Sequence, residues 1–203
     1  LIEWNVNKTY LKDLKKYGIP IIPSLFFEDF DIDEVMSSFN TFDSEKVIIK
    51  PTVGANADKI MIIKKSETMD ILKKIKDIYK NRPFILQPFI NSIKKDGEMS
   101  LIFFNKGFSH GLSKVPKKGD FRVQEEHGGT LELLKNLDDQ IINLCRKVLS
   151  LLPYDCFYSR IDLVFDKGHP LLMEIEVIEP SLYFNIEPKS AKLFAKRVSD
   201  YFN

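Results

Sequence analysis

The stretch "LLMEIEVIEPSLYF" at residues 171–184 begins like a buried β-strand but carries two acidic residues. Glu174 and Glu176 lie two positions apart, so both carboxylates project from the same face of an extended strand, and Glu179-Pro180 ends the extended run. On a dry face the two charges would repel each other and would also lose their hydration. The pattern therefore predicts either positive groups nearby or a hydrated face.

A third acid lies on the preceding apolar run. Asp162 belongs to "SRIDLVF", which a tight turn at Lys167-Gly168 joins to the acidic strand. A hairpin across that turn would bring Asp162 towards Glu174 and Glu176 on one face. Three carboxylates are typical of a site for a hard divalent cation, and Mg²⁺ suits oxygen ligands that leave positions for water and phosphate. The alternative is that the acids pair with Lys and Arg on a solvated sheet face.

The composition excludes several classes of protein. The 203 residues, 44% of them apolar, can form one or two domains, and 30 Lys and Arg nearly balance 29 Asp and Glu. This balance removes the electrostatic argument for a dedicated nucleic-acid binder or a basic membrane-surface protein. Cys145 and Cys156 show no CxxC spacing, and no membrane-spanning apolar run is present, so we expect a cytoplasmic protein.

The periodicity predicts an α+β protein in two lobes, with residues 1–90 in the first lobe and 91–203 in the second. The lobes are expected to meet near "ILQPFI" at residues 85–90. Predicted helices cover residues 5–17, 69–78, 138–152 and 189–202. Predicted strands or extended segments cover residues 19–27, a hairpin at 46–65, and 82–90, 98–107, 108–119, 157–166 and 169–179. Residues 120–130, "DFRVQEEHGGT", are predicted to form a loop.

Lys50 ends the apolar run "VIIK" and precedes Pro51, so a buried strand delivers one ammonium group at its end. That group either extends to solvent or meets an anion. The adjoining loop, residues 52–58, is small and flexible enough to close over phosphates, but it matches neither a P-loop nor a Rossmann fingerprint. His110 and His169 have no partners at metal-ligand spacing, and we expect both on the surface.

Several segments in the same order resemble the ATP-grasp ligases, from about Trp4 to Ser181. They are "NKTYL", "VIIKP", "FILQPFI", "GEMSLIFF", "DFRVQEEHGG", "SRIDLVF" and "LMEIEVIEP". The set is most similar to the RimK-type and prokaryotic glutathione-synthetase-like members, and "EIEVIEPSL" is similar to the members that close the D-cycloserine ring. The resemblance implies two lobes with antiparallel sheets that clasp ATP. Such ligases carry a preceding α/β domain, and because the chain starts at Leu1, where that domain would end, we expect an N-terminal substrate domain to be missing.

The resemblance also implies roles for individual residues. Those that would hold the nucleotide are Lys8 and Lys50 at the phosphates, Gln87 and the backbone of Phe89 and Ile90 at the adenine, and Glu98 at the ribose. The loop at residues 53–58 corresponds to a flap over the phosphates. Those near the reacting groups are Arg122, with the glycines 128–129 of a mobile lid, and Arg160. Those that would bind Mg²⁺, or Mn²⁺ in its place, are Asp162, Glu174 and Glu176.

Two features depart from the family pattern around the implied metal site. The family commonly has Asn at the position of Glu176, so this site would hold one more negative charge. The spacing to Pro180 is one residue longer than usual, which makes Glu179 a competing ligand. Which glutamate completes the site is left open by the sequence.

The implied activity is that of an ATP-dependent ligase that joins a small-molecule carboxylate to an amine, or a related nucleophile, through an acyl phosphate. No nucleic-acid or membrane partner is expected, and a homodimer is compatible with the sequence. The alternatives are an ATP-binding regulatory module without ligase turnover, and an α+β interaction domain whose charged residues face solvent. Stabilisation by ATP that requires Mg²⁺ would separate the first two readings from the third.

Overall fold

The computed structural model describes residues 1–123 and 128–202 of the chain. Its helices are α1 (Ile2–Val6), α2 (Tyr10–Lys16), α3 (Ile32–Phe42), α4 (Met69–Ile78), α5 (Ile93–Asp96), α6 (Asp139–Ser150) and α7 (Pro188–Phe202). Its strands are β1 (Leu25–Phe27), β2 (Lys46–Pro51), β3 (Met61–Lys64), β4 (Phe84–Pro88), β5 (Glu98–Phe104), β6 (Gly107–Val115), β7 (Thr130–Leu133), β8 (Tyr158–Asp166) and β9 (His169–Glu176).

The strands form two antiparallel sheets, which confirms the predicted α+β class. The smaller sheet has the order β1-β4-β2-β3 and the larger sheet has the order β7-β6-β5-β8-β9. Strand β1, which follows Pro20 and Pro23 of the segment predicted at 19–27, lies at an edge, as expected next to residues that lack a backbone donor. Among the described helices, none is long and apolar enough to cross a membrane.

Each sheet buries an apolar face against helices. In the smaller sheet, Val47 and Ile49 of β2 pack with α3 and α4. Alternation along β2 therefore turns Ile48 and Lys50 to the opposite face, which lines a cleft. One face of the larger sheet packs against α2 and α6. On the other face, the part that contains Ile102, Phe104 and Leu112 packs against α7. The first helices thus join the core of the larger sheet, while the domain division at residue 90 stays a prediction.

Four local expectations were wrong. The single helix predicted at 5–17 is two short helices, because the amide of Lys8 donates to the carbonyl of Thr52 at 2.8 Å instead of continuing a helical ladder. Helix α3 was not predicted, although Asp31 caps it by accepting from two backbone amides. Strand β7 begins at Thr130, the last residue of the predicted loop. His110 is buried on β6, with 5% of its surface exposed.

Candidate functional site

The β8–β9 hairpin places the acidic residues side by side, as the sequence predicted. Asp162 pairs with Glu174 and Arg160 pairs with Glu176 across the two strands. Because paired residues of an antiparallel ladder point to the same face, all four side chains project into one region. Asp162 is 2% exposed, while the two glutamates are partly exposed at the cleft.

Positive groups surround the acids, which is one of the two arrangements that the sequence predicted. Arg160 donates through Nε to Asp162 Oδ1 at 3.0 Å and through Nη2 to Asp162 Oδ2 at 2.9 Å. The same Nη2 donates to Glu176 Oε1 at 2.6 Å. The ammonium of Lys8 lies 3.0 Å from Glu174 Oε1 and donates to the carbonyl of Gly54 at 2.7 Å. Like-charge repulsion is therefore offset by ion pairs to two different cations.

The neighbouring strands β5 and β6 extend this network. Lys114, 4% exposed, is paired with Glu98 and lies 3.7 Å from Asp162 Oδ1. The hydroxyl of Ser100 donates to the same carboxylate of Asp162. Lys114 was not predicted at the site, although strand alternation turns Lys114 to the same face of β6 as the buried Leu112. Its partner Glu98 lies directly opposite on β5.

Burial and ion pairing shift the pKa values of these carboxyl groups in different directions. Burial raises the pKa of Glu176 to about 7, and the charges of Asp162 and Glu174 add to this effect against the opposing charge of Arg160. Burial would also raise the pKa of Asp162, but Arg160 and Lys114 outweigh it and hold that pKa at about 2. Burial raises the pKa of Glu98, which Lys114 opposes. The acids thus differ in how readily each gives up its proton.

Lys50 faces the acids from the smaller sheet. It is 5% exposed, and among the described residues no carboxylate lies within 4 Å of its ammonium nitrogen. Burial lowers the pKa of Lys50 to about 8, and the nearby charge of Lys8 lowers it further against the attraction of Glu174. An ammonium that is buried at a cleft without an ion pair is suited to receiving an anion.

A cleft of about 650 Å³ lies between the two sheets and is lined by residues of both. This volume is in the range of sites for nucleotide-sized ligands. All of the residues predicted to hold a nucleotide or a metal line it: Lys8, Lys50, Gln87, Phe89, Ile90, Glu98, Asp162, Glu174 and Glu176. Both predicted catalytic arginines, Arg122 and Arg160, line it as well. The structure therefore brings the predicted set together, while the role of each residue stays a prediction.

The end of the cleft predicted to bind adenine is formed by strand β4 and the residues after it. Gln87 is buried and its amide donates to the hydroxyl of Ser24 at 2.9 Å. The ring of Phe89 packs edge to face with Phe121 at 6.4 Å between centroids. The ammonium of Lys94 lies 5.1 Å from the Phe89 ring centroid. This end of the cleft is aromatic and apolar, in contrast to the ionic end.

Arg122 lies on the segment after β6 and is paired with Asp120, with 2.8 Å between Nη2 and Oδ2. The hydrogen bond from Arg122 lowers the pKa of Asp120. Within the loop predicted at residues 120–130, which includes the predicted lid, residues 124–127 lie outside the described part of the chain. Glu179 is exposed and also lines the cleft, whereas Glu176 contacts the Asp162–Arg160 pair directly.

The carboxylates are chemically suited to a hard cation but are engaged by protein cations here. Over residues 1–123 and 128–202, no three acidic, histidine or cysteine side chains stand close enough together to hold a metal ion. The reason is that Arg160 separates Asp162 from Glu176, and Lys8 holds Glu174. The donor set fits Mg²⁺ or Mn²⁺ on the condition that the carboxylates exchange these partners for the metal.

Comparisons with known proteins agree with this geometry. Residues 30–191 match the family model described as prokaryotic glutathione synthetase, ATP-grasp domain. The cycloserine biosynthesis protein DcsG of Streptomyces lavendulae is 28% identical over an alignment of 218 residue positions, which covers 98% of this chain and 71% of DcsG.

Two solved structures share the fold. The crystal structure of D-cycloserine synthetase DcsG superposes with a TM-score of 0.84 at 24% identity and covers 100% of this chain and 72% of that one. The D-alanine–D-alanine ligase of Bacillus anthracis, solved with ATP, has a TM-score of 0.69 at 16% identity and covers 96% of this chain and 63% of that one.

Proposed function

The chain belongs to the family of prokaryotic glutathione synthetase ATP-grasp domains, and on that premise we propose that it is an ATP-dependent ligase that activates a carboxylate as an acyl phosphate. The observation that carries the proposal is Lys50, a buried ammonium without an ion pair among the described residues, which faces the three acids across a cleft of nucleotide size. A cleft with an anion receptor on one wall and cation ligands on the other is suited to a metal–nucleotide complex.

In this proposal the nucleotide lies along the cleft between the two sheets. The adenine occupies the aromatic end near Gln87 and Phe89, and the ribose lies near Glu98. The phosphates meet the ammonium groups of Lys8 and Lys50, under the loop at residues 53–58. Asp162, Glu174 and Glu176 would hold Mg²⁺, which would neutralise phosphate charge when it is bound.

The reaction has two steps. An oxygen of the substrate carboxylate attacks the γ-phosphorus of ATP, a new P–O bond forms, the bond from the γ-phosphorus to the bridging oxygen breaks, and ADP leaves. An amine nitrogen then attacks the acyl carbon, the C–O bond to phosphate breaks, and the amine loses a proton. Arg122 and Arg160 stabilise the charge that develops on the transferred phosphoryl group. The side chains position the substrates and neutralise their charge, and no covalent bond to the protein forms in either step.

The proposal is tested by trapping the activated acid. Candidate acids are incubated with the complete protein, Mg²⁺, ATP and hydroxylamine, and both ADP and hydroxamate are measured. We expect hydroxamate with the correct acid, and loss of both products in chelator or in Lys50→Met. If Mg²⁺–ATP binds tightly but a broad set of amino acids, hydroxy acids and peptides gives neither product, the chain is an ATP-binding regulatory module instead.

A further inference from the structure

Among the strands that the structure describes, β9 lies at the edge of the larger sheet, so one side of its backbone has no neighbouring strand. Residues 20–22 cover the first part of that edge. The amide of Leu172 donates to the carbonyl of Pro20 at 2.8 Å, and the amide of Ile22 donates to the carbonyl of Leu172 at 3.2 Å. Further along, the edge passes between the two cleft glutamates, where uncovered N–H and C=O groups would be costly to bury.

Two side chains of the N-terminal segment cover this second part of the edge. The hydroxyl of Tyr10 accepts from the amide of Ile175 at 2.9 Å and donates to its carbonyl at 3.2 Å. The side-chain amide of Asn5 donates to the carbonyl of Ile175 at 2.8 Å, and its oxygen accepts from the amide of Val177 at 3.0 Å. Asn5 is 9% exposed and Tyr10 is 2% exposed. Together they replace the bonds of a missing strand.

The position of these bonds matters, because Ile175 lies between Glu174 and Glu176. The backbone at Ile175 sets the direction in which both carboxylates leave the strand. Lys8, which lies between Asn5 and Tyr10 in the chain, contacts Glu174 at 3.0 Å and the carbonyl of Gly54 at 2.7 Å. The same segment therefore fixes the acid-bearing strand and connects it to the loop of the smaller sheet.

We propose that Asn5 and Tyr10 are positioning residues for the cation site, acting through the backbone at Ile175. This inference rests on the proposed function. The carboxylates must exchange Arg160 and Lys8 for a metal ion, and a strand edge that is held rigidly keeps both carboxylates aimed at one point during that exchange. Residues that orient metal ligands without touching the metal commonly affect its affinity by tenfold or more.

The test compares Tyr10→Phe with Tyr79→Phe. Each change deletes one phenol hydroxyl that donates to a backbone carbonyl. The acceptor is the carbonyl of Ile175 for Tyr10 and the carbonyl of Lys59 for Tyr79, which lies in the core of the smaller sheet. Binding of Mn²⁺ to the complete protein with ADP is measured by electron paramagnetic resonance, and ADP binding without metal is measured by calorimetry. For Tyr10→Phe we expect Mn²⁺ affinity to fall roughly tenfold while metal-free ADP affinity is unchanged. Tyr79→Phe should leave Mn²⁺ affinity unchanged.

The outcomes separate the inference from its premise. Equal losses of melting temperature in both variants, with unchanged Mn²⁺ affinity, would show that Tyr10 only stabilises the fold and would overturn the positioning role. If Tyr10→Phe does not fold, the same measurement on Asn5→Ala decides, because it removes the other two bonds. A parent protein that binds ADP but no Mn²⁺ overturns the proposed metal-dependent function, and the inference with it. A parent that binds Mn²⁺ with ADP, and loses it only in the Tyr10 variant, supports both.

Discussion

Replacement of Lys50 by methionine should make the protein more stable while it weakens nucleotide binding. The folded protein holds the proton of Lys50 less tightly than the unfolded chain does, because burial lowers the pKa from 10.5 to about 8. Below pH 8 the ammonium is charged in both states, and the folded state bears the full cost of burying it. As the pH rises from 8 to 10.5, the folded protein releases the proton first and that cost disappears.

The size of the effect follows from the two pKa values. The gap between 10.5 and about 8, at 1.36 kcal/mol for each pH unit, corresponds to roughly 3 kcal/mol. Methionine has a similar length and no charge, so Lys50→Met should raise the free energy of unfolding by up to about 3 kcal/mol at pH 7. The gain should shrink towards zero as the pH approaches 10.5. The same change should weaken Mg²⁺–ATP binding tenfold to a hundredfold, or roughly 1.5–3 kcal/mol.

The assay is urea unfolding of the parent and Lys50→Met at several pH values from 7 to 10, with calorimetry of nucleotide binding. Lys64→Met, which removes an exposed ammonium from the neighbouring strand β3, controls for the loss of a charge as such. Near pH 8.5, nucleotide binding to the parent should also take up protons, because a bound phosphate raises the pKa of Lys50. A stability difference that does not change with pH, or an unchanged nucleotide affinity, would refute the argument.

Three further predictions concern the ionic end of the cleft. Glu176→Gln should stabilise the metal-free protein relative to the parent more at pH 8 than at pH 5. The reason is that the pKa of Glu176 is about 7 in the folded protein and 4.5 in the unfolded chain, so the parent loses stability as the pH rises from 4.5 to 7. Equal losses of melting temperature at both pH values, measured in chelator, would instead indicate a structural ion pair. Lys114→Met should lower the free energy of unfolding in urea by about 3–5 kcal/mol, because it leaves the buried carboxylates of Glu98 and Asp162 without this cation. Adding Glu98→Gln should recover part of the loss, and additive losses would contradict this coupling. Amide exchange at residues 117–123 should slow on addition of Mg²⁺–ATP if the segment closes over the nucleotide, and identical exchange with and without nucleotide would argue against a lid.

Much of the fold follows from local pattern. Alternation along β9 was sufficient to place Glu174 and Glu176 on one face. The position of Asp162 needed more, because a regular hairpin at Lys167-Gly168 would pair it with Met173, and a register shift between Asp162 and Leu163 brings it opposite Glu174 instead. Helix α3 could also have been found, since its capping Asp31 and the spacing of its apolar residues are visible in the sequence.

Other features were beyond the reach of local pattern. The burial of His110 depends on what packs over β6 from the C-terminal part of the chain, which no local period reveals. The break between α1 and α2 depends on a hydrogen bond from Lys8 to Thr52, more than forty residues away. Such contacts override helical propensity because a tertiary hydrogen bond at a buried site outweighs the preference of a few residues.

The sequence by itself determined that Glu174 and Glu176 share a face, because strand alternation acts over a few residues and depends only on the order of the side chains. Only the tertiary structure decided how those charges are matched. Glu174 meets Lys8 and Glu176 meets Arg160, while Lys50 is left without an ion pair among the described residues. Lys8 and Glu174 come from segments that are distant in the chain. The energy of every pair depends on distance and burial, neither of which exists until both sheets have formed.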